Sequence, residues 1–449
     1  PPPARGGVTF RPMTSAPLTV FTARLGISGV VPVRGPTSPL RGTARALCLA
    51  VLMTLASSPT VAQGDDASTA TTQAQGTIQT GVVSVGVITS RSGSGQATGA
   101  SQALAASAWA AELESRGGVY GVRVDVDVVD DGGVPARAAQ LALELSRGGA
   151  HAIVCCTTPA ASRAVAQVAE ETGVLLLSPT ELTALGTAQQ ATYWAFALWP
   201  DDTDSLSATV AAVLARGRGS AALMTLANEF GERASTVLAG LLGYAGMHLA
   251  AEVAYQPGTM ELRPEALLLA SHLPGAVVVW GLADDLGVAY RALRARGYEG
   301  PVFGRTALVS PGAGVTGLGT LAGVRFAVPP ALAPAAMPAG YQCSAAVEDV
   351  ERRLAASYGG IVDLAAAAPV VDALDLVAAG VEQLLAMQLP PVPIATERQA
   401  LRDALVGLPE RCGAGGLLDL QEGRTSAVVP RGLIDVTVGR FGTLEADER

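Results

Sequence analysis

Glycine spacing offers the first hint of chemistry. Gly93-x-Gly95-x-x-x-Gly99 follows a β-branched run and opens a helical pattern, and Asp125–Asp131 close the next strand-like run. A dinucleotide site needs such glycines so that a pyrophosphate can approach the backbone at a helix N-terminus, but its spacing is G-x-G-x-x-G, which this run does not keep. No Gly-Lys-Ser/Thr follows any glycine-rich loop, so a P-loop is excluded. His151, His248 and His272 lie far apart, without a His-Glu-x-x-His pair, and no Cys-x-x-Cys occurs. A zinc hydrolase and a thioredoxin-type redox centre are both disfavoured. With no acid–base constellation in the chain, binding is expected rather than catalysis, with no cofactor and no metal.

The groups that could hold a small molecule sit in loops after predicted strands. Ser92 follows the first, Thr157 and Thr158 the third, and Ser178, Thr180 and Glu181 the fourth. Further along, Phe230, Asp284, Arg305 and Thr306 occupy equivalent places, with Glu229 and Trp280 beside them. Open α/β sheets bind ligands beyond the carboxyl ends of their strands. Hydroxyls and helix N-terminal N–H groups suit a carboxylate. An aromatic ring with charges of both signs suits a polar or zwitterionic solute between two lobes. Each residue also has a plainer reading: the hydroxyls as helix caps, the aromatics as core and Arg305 as a surface charge.

These loops need a scaffold, and the hydrophobic rhythm supplies one. Val82–Ile88 is β-branched enough for a buried strand, and Ala100, Leu104, Ala108 and Ala111 recur at helical spacing. Val122–Val129 alternates, as an edge strand does. Helices at 136–146 and 160–172 alternate with strands at 151–154 and 174–177. The pattern restarts near Asp201, with helices at 205–216, 231–245 and 286–296 between strands at 220–226, 248–255, 276–280 and 301–304. Strand–helix alternation of this kind predicts an α/β fold with two doubly wound parallel-sheet lobes. Helices at 345–358, 369–385 and 396–405 and strands at 427–429 and 433–438 follow; too few for a separate domain, they must pack back on the earlier lobes.

Mean hydropathy is +0.36, as in many membrane proteins. The apolar residues are mostly scattered Ala and Val, however, and Gly, Pro or charge is expected to interrupt every run before it could span a bilayer. The net charge of −9 argues against nucleic acid. Arg41 and Arg45, the apolar run 46–56 and small residues up to Ala62 have the form of a secretory signal. The expected layout is therefore a leader at 1–40, a signal peptide at 41–62 and a disordered linker at 63–81. One lobe then comprises 82–200 with 328–430, the other 201–327 with 431–449. Export to the periplasm permits disulfides. Cys343 and Cys412 form a candidate pair, whereas the adjacent Cys155 and Cys156 are expected as two buried thiols.

The chain resembles the solute-binding proteins of ABC importers, in the leucine/isoleucine/valine-binding branch. Val85-Gly86-Val87-Ile88 before Thr98-Gly99-Ala100, the segment Glu114–Gly121, and the acidic turn Asp130-Asp131-Gly132-Gly133 carry the likeness. So do Val168–Val174 leading to Ser178-Pro179, Asn228-Glu229-Phe230-Gly231-Glu232, Leu293–Tyr298 and Tyr358-Gly359, in order from Val82 to Phe441. The resemblance implies a type I periplasmic-binding-protein fold, two lobes joined by three crossovers. It implies closure around a small solute and delivery, as a monomer, to a permease in the inner membrane. The family's hydroxyl after the third strand falls on Pro159, the next falls near Leu182, its second-lobe tyrosine is Phe230, and its acid near Arg305-Thr306 is missing. The ligand stays open between an amino acid, an amide, a carboxylate and an aromatic acid. A free-standing sensor of the same fold is the first alternative, and a dinucleotide-dependent enzyme the second.

Overall fold

The computed structural model describes residues 78, 81–183, 192–311, 318–358, 362–388 and 392–446, with the side chains of 283 and 284 left out. The expected leader, the signal peptide and most of the linker lie outside the described residues.

The first sheet is built from β1 (Val82–Thr89), β2 (Arg123–Asp130), β3 (Ala152–Cys155), β4 (Leu175–Ser178) and β5 (Ala195–Ala197). All pair in parallel, in the order β2-β1-β3-β4-β5. The connecting helices are α1 (Gln96–Ser115), α2 (Pro135–Arg147) and α3 (Pro159–Thr172). β1 is covered on both faces, which is why its run is apolar apart from Ser84 and Thr89. β2 lies at the edge, so Val124 is buried while Asp125 and Asp127 face water. One face packs on α2 and α3 through Leu141, Val165 and Ala169. The other packs on α1 and on helices that arrive from the end of the chain.

The second sheet uses β6 (Ser220–Leu226), β7 (His248–Tyr255), β8 (Ala276–Trp280), β9 (Val302–Gly304) and β10 (Val324–Val328), followed by β13 (Ile434–Val438) and β14 (Leu444–Ala446). Its order is β14-β13-β10-β9-β8-β6-β7, with β13 and β14 antiparallel. α4 (Asp202–Ala215) and α5 (Glu229–Tyr244) cover one face, around the fully buried Trp280 and Phe303. α6 (Arg263–Ser271) and α7 (Ala283–Ala295) cover the other, around Phe326. This is the type I fold that the strand–helix rhythm and the resemblance imply.

The chain passes between the sheets three times: at 198–201 between β5 and α4, at 329–332 after β10, and at 429–433 before β13. The second passage delivers α8 (Ser344–Tyr358), α9 (Leu364–Met387) and α10 (Ile394–Val406) to the first sheet, with a small hairpin of β11 (Arg411–Gly413) and β12 (Gly416–Leu418) that the sequence reading lacks.

Some expectations need correction. α9 begins five residues before Pro369, where the sequence reading starts it, because Asp363 caps it by accepting from the Ala365 N–H. Pro369 sits inside the second turn, and the buried row Ala365–Ala368 compensates for its missing donor. The result is a helix long and apolar enough to cross a membrane, contrary to the expected interruption, yet 78% of its most apolar window is buried within the fold. The expected strand at 427–429 is only a pair of isolated bridges, Ala197 to Ser426 and Leu418 to Val428, because the segment threads between β5 and β12. Cys155 and Cys156 are paired as a disulfide rather than two thiols; the peptide joining them is cis and their Cα atoms are 3.1 Å apart. A second disulfide joins Cys343 to Cys412.

The linker also ends sooner than expected. Ile78, the one large apolar residue of that stretch, is 4% exposed in the first core. Its N–H donates to both oxygens of Glu397 on α10, at 3.2 and 3.4 Å. Glu397 also meets Nε2 of the buried His151 at 2.9 Å. His151 Nδ1 accepts the Ser84 N–H at 3.1 Å, which leaves the ring proton on Nε2 for Glu397. This knot lies at the amino ends of β1 and β3.

Candidate functional site

A cavity of about 320 Å³ opens beyond the carboxyl ends of the first sheet, facing the loop after β9. Three helices point their N-termini into it. α1 contributes Gly95 and Thr98, α3 contributes Thr158 and Pro159, and α9 contributes Ala365 and Ala366. Gly95 is the N-cap of α1 at φ +86° and gives no side-chain cap, so the first N–H groups of α1 remain for other partners. Gly99 explains how α1 comes so close: a Cβ there would stand 2.1 Å from the Ser90 carbonyl oxygen. The glycine spacing that resembled a dinucleotide loop serves this packing.

A hydroxyl network fixes the floor. Thr157 Oγ1 accepts the Ser90 N–H at 2.8 Å and donates to Gln102 Oε1 at 2.8 Å. Thr158 caps α3 by accepting from the Ala161 N–H. Thr180 Oγ1 meets Ser162 Oγ at 2.8 Å, and Ser178 donates to the Thr180 carbonyl. Trp199, from the first crossing, forms a wall and is 5% exposed.

Charge enters at the far side. Arg305 is held two-pronged by Asp202, Nε to Oδ1 at 2.5 Å and Nη2 to Oδ2 at 2.9 Å. The same Nη2 stands 3.7 Å from Glu181 Oε1, and the guanidinium lies 5.2 Å over the Phe230 ring. Burial disfavours the charge on Arg305, but Asp202 and Glu181 outweigh it and raise its pKa. Burial pushes Glu181 up to about 7; Arg305 and Arg163 pull down, while Asp202 and Asp201 add to the rise. At the crossing itself Asp201 and Asp204 form a capping box at the start of α4, and burial raises both. Arg424 reaches Asp204 at 3.1 Å from the returning chain.

Of the residues singled out by sequence, the structure brings Thr157, Thr158, Thr180, Glu181 and Arg305 around one cavity. The others stand apart. Ser92 is exposed and donates to Asp130, which draws it away from the opening. Ser178 is buried within the Ser162 and Thr180 network behind the wall. Thr306 is buried because its hydroxyl donates to the Ala327 carbonyl. Phe230 supports Arg305 from the core side and is not part of the lining. The Asp284 side chain lies outside the described residues. Ser94, Thr98, Gln102, Trp199 and Ala365–Ala366 line the cavity without having been expected. Gln102 alone left a signal: Thr98, Gln102, Ala105 and Trp109 form one helical stripe, and a long polar side chain within a buried stripe needs a partner.

A family model described as periplasmic binding protein matches residues 82–425. The chain belongs to the periplasmic binding protein family. No curated protein matches it in sequence. Solved structures share its fold along most of the chain. A putative branched-chain amino acid ABC transporter protein of Rhodospirillum rubrum is 22% identical with a TM-score of 0.62, covering 82% of this chain and 100% of its own. The substrate-binding protein LivJ of Streptococcus pneumoniae, solved with isoleucine, is 17% identical at a TM-score of 0.56, covering 81% and 98%. The leucine-binding protein LivK of Thermotoga maritima is 18% identical at 0.54, covering 81% and 97%. At these identities the periplasmic binding proteins share an architecture with this chain, and its ligand must be argued from its own cavity.

Proposed function

We propose that this periplasmic binding protein is the extracytoplasmic solute-binding component of an ABC importer, exported to the periplasm, which holds a small amino-acid-like or carboxylate solute in the cavity and delivers it to a permease. One observation carries the reading: three helix N-termini converge on a cavity whose opposite side is the Glu181–Arg305 pair. Helix N-termini present N–H groups and partial positive charge to an anion. Opposite them Glu181, Asp202 and Arg305 together carry one excess negative charge when all are ionised, which suits an ammonium. A solute with a carboxylate at one end and a cation or polar group at the other matches both. The side chains of Thr157, Thr180 and Arg305 are already tied into fixed partners, an arrangement for orienting a solute rather than for moving its protons.

The solute bridges groups from both lobes and so favours the closed state, with the crossings near 198–201, 329–332 and 429–433 as hinges. Thermal-shift screening against amino acids, their primary amides and small mono- and dicarboxylates tests the binding role. A solute at ~100 Kd adds about 2.7 kcal/mol of stability. A shift with a nicotinamide nucleotide, and none across that panel, would overturn the reading.

A further inference from the structure

Trp199 is 5% exposed, yet among the described residues it joins none of the hydrophobic clusters that hold the sheets together. Its chain neighbours do join them: Phe196 and Leu198 belong to the core on one face of the first sheet, and Ala197 to the core on the other. Trp199 lies just past β5, on the first crossing. There the Leu198 N–H donates to the Ser178 carbonyl at 2.7 Å and ties the crossing to the loop that carries Pro179 and Glu181. A large apolar side chain shut off from bulk water normally packs in a core. Trp199 lines the cavity instead. Ala365 and Ala366 share the pattern: buried, outside every cluster and on the lining. The rest of the apolar lining is small or rigid, with Pro159, Pro179 and Pro311 arriving from three separate segments. Among the described residues no leucine, isoleucine, valine or methionine lines the cavity. Proline rings and alanine methyls cannot swing in to meet a short side chain, so the apolar part of this cavity has a fixed width.

We infer that the solute class is a carboxylate carrying an apolar ring, and that Trp199 is the specificity-determining residue against which that ring packs. The inference rests on the reading of the cavity as the solute site. Backbone N–H groups at helix N-termini attract a carboxylate whatever body it is attached to. The indole distinguishes the bodies. A ring against it gains the burial of apolar area and, beyond that, the edge and face attraction between aromatic systems. A methyl group gains little, because the walls do not close on it. A branched aliphatic group gains the area without the aromatic part.

Calorimetric titration of the full chain tests this with probes that differ by one phenyl group: L-phenylalanine against L-alanine, and phenylacetate against acetate, with L-leucine as the aliphatic comparison. In at least one pair the ring tightens binding by about 10- to 100-fold, as the burial of one aromatic side chain should. L-leucine binds more weakly than L-phenylalanine. Trp199→Ala removes most of the gain from the ring and leaves the ringless probe nearly unchanged. Trp199→Phe keeps a ring at the crossing, so it folds even if Trp199→Ala does not. Its smaller ring makes room, and the indole-bearing counterpart of the tighter probe (L-tryptophan or indoleacetate) gains on the phenyl-bearing one. A purely structural role would weaken both alike and would not favour the larger ring. If the ring tightens neither pair, if L-leucine binds as tightly as L-phenylalanine, or if Trp199→Phe moves the two ring sizes alike, the assignment of Trp199 is overturned while the cavity remains the solute site. If none of these probes binds the unaltered protein, the ring class is overturned; if the nicotinamide nucleotide is then what binds, the solute-site reading fails with it.

Discussion

The two sides of the cavity are built differently. The first-sheet side is assembled from helix N-termini and hydroxyls that bond to one another over short spans of structure: Ser90 to Thr157, Thr157 to Gln102, Ser162 to Thr180. The second-sheet side is one charged arm with small neighbours, Arg305 with Ala307, Ser310 and Pro311. Arg305 is steadied by Asp202, a residue of the crossing rather than of its own sheet. One side is a rigid mould; the other is a single contact set where the lobes meet. A mould can fix which solute is held, and a contact at the crossing can report that it is held.

The sharpest way to break this contrast is Asp202→Ala. Among the described residues it leaves a mostly buried Arg305 with Glu181 at 3.7 Å as its remaining carboxylate. Denaturant unfolding should show a loss of about 3–5 kcal/mol, the usual result of removing one partner of a buried pair. A loss under 1 kcal/mol would mean that the arm is not anchored at the crossing.

Glu181 makes the next largest contribution, and it depends on pH. Its folded pKa of about 7 lies above the usual 4.5. Between those values the folded carboxyl keeps a proton that the unfolded one has released. Folding therefore takes up a proton there, so stability falls as pH rises through the window and levels off above it. The expected fall is about 3 kcal/mol at most. Glu181→Gln should remove that slope in melting curves recorded from pH 4.5 to 8. If Glu181 also meets a solute ammonium, binding in the same window releases a proton and tightens as pH rises; an unchanged affinity across it would exclude that contact.

Smaller changes separate mould from solute contact. Gly99→Ala forces a Cβ against the Ser90 carbonyl and should cost about 1–3 kcal/mol, while weakening solute binding as the α1 N-terminus shifts. Thr158→Ala removes only the α3 cap: about 1 kcal/mol in stability, with affinity nearly unchanged. A large affinity loss there would instead place the Thr158 hydroxyl on the solute.

The same contrast explains what could be read from the sequence. The alternating fold was legible because runs such as Val82–Ile88 and Val122–Val129 carry their period locally. Thr157, Thr180 and Arg305 were findable because a strand end in a parallel sheet marks a place in space as well as in sequence. Gln102 was hidden inside a helix, where spacing shows the face but not what the face meets. Ala365 and Ala366 were hidden for another reason: no local pattern says that a helix some 270 residues after α1 will set its first turn beside it. Pro369 misled because Pro favours a helix start, and only the tertiary burial of the preceding alanines shows that the helix is already under way.

The knot of Ile78, Glu397 and His151 has a practical consequence. It clamps the incoming chain at the amino ends of the strands, while the cavity opens at their carboxyl ends. Ile78 is therefore held on the side away from the mouth. A dye or a surface attachment on the face around this knot would stand at the opposite end of the strands from the cavity, so the protein can be immobilised by that face with the cavity mouth left open.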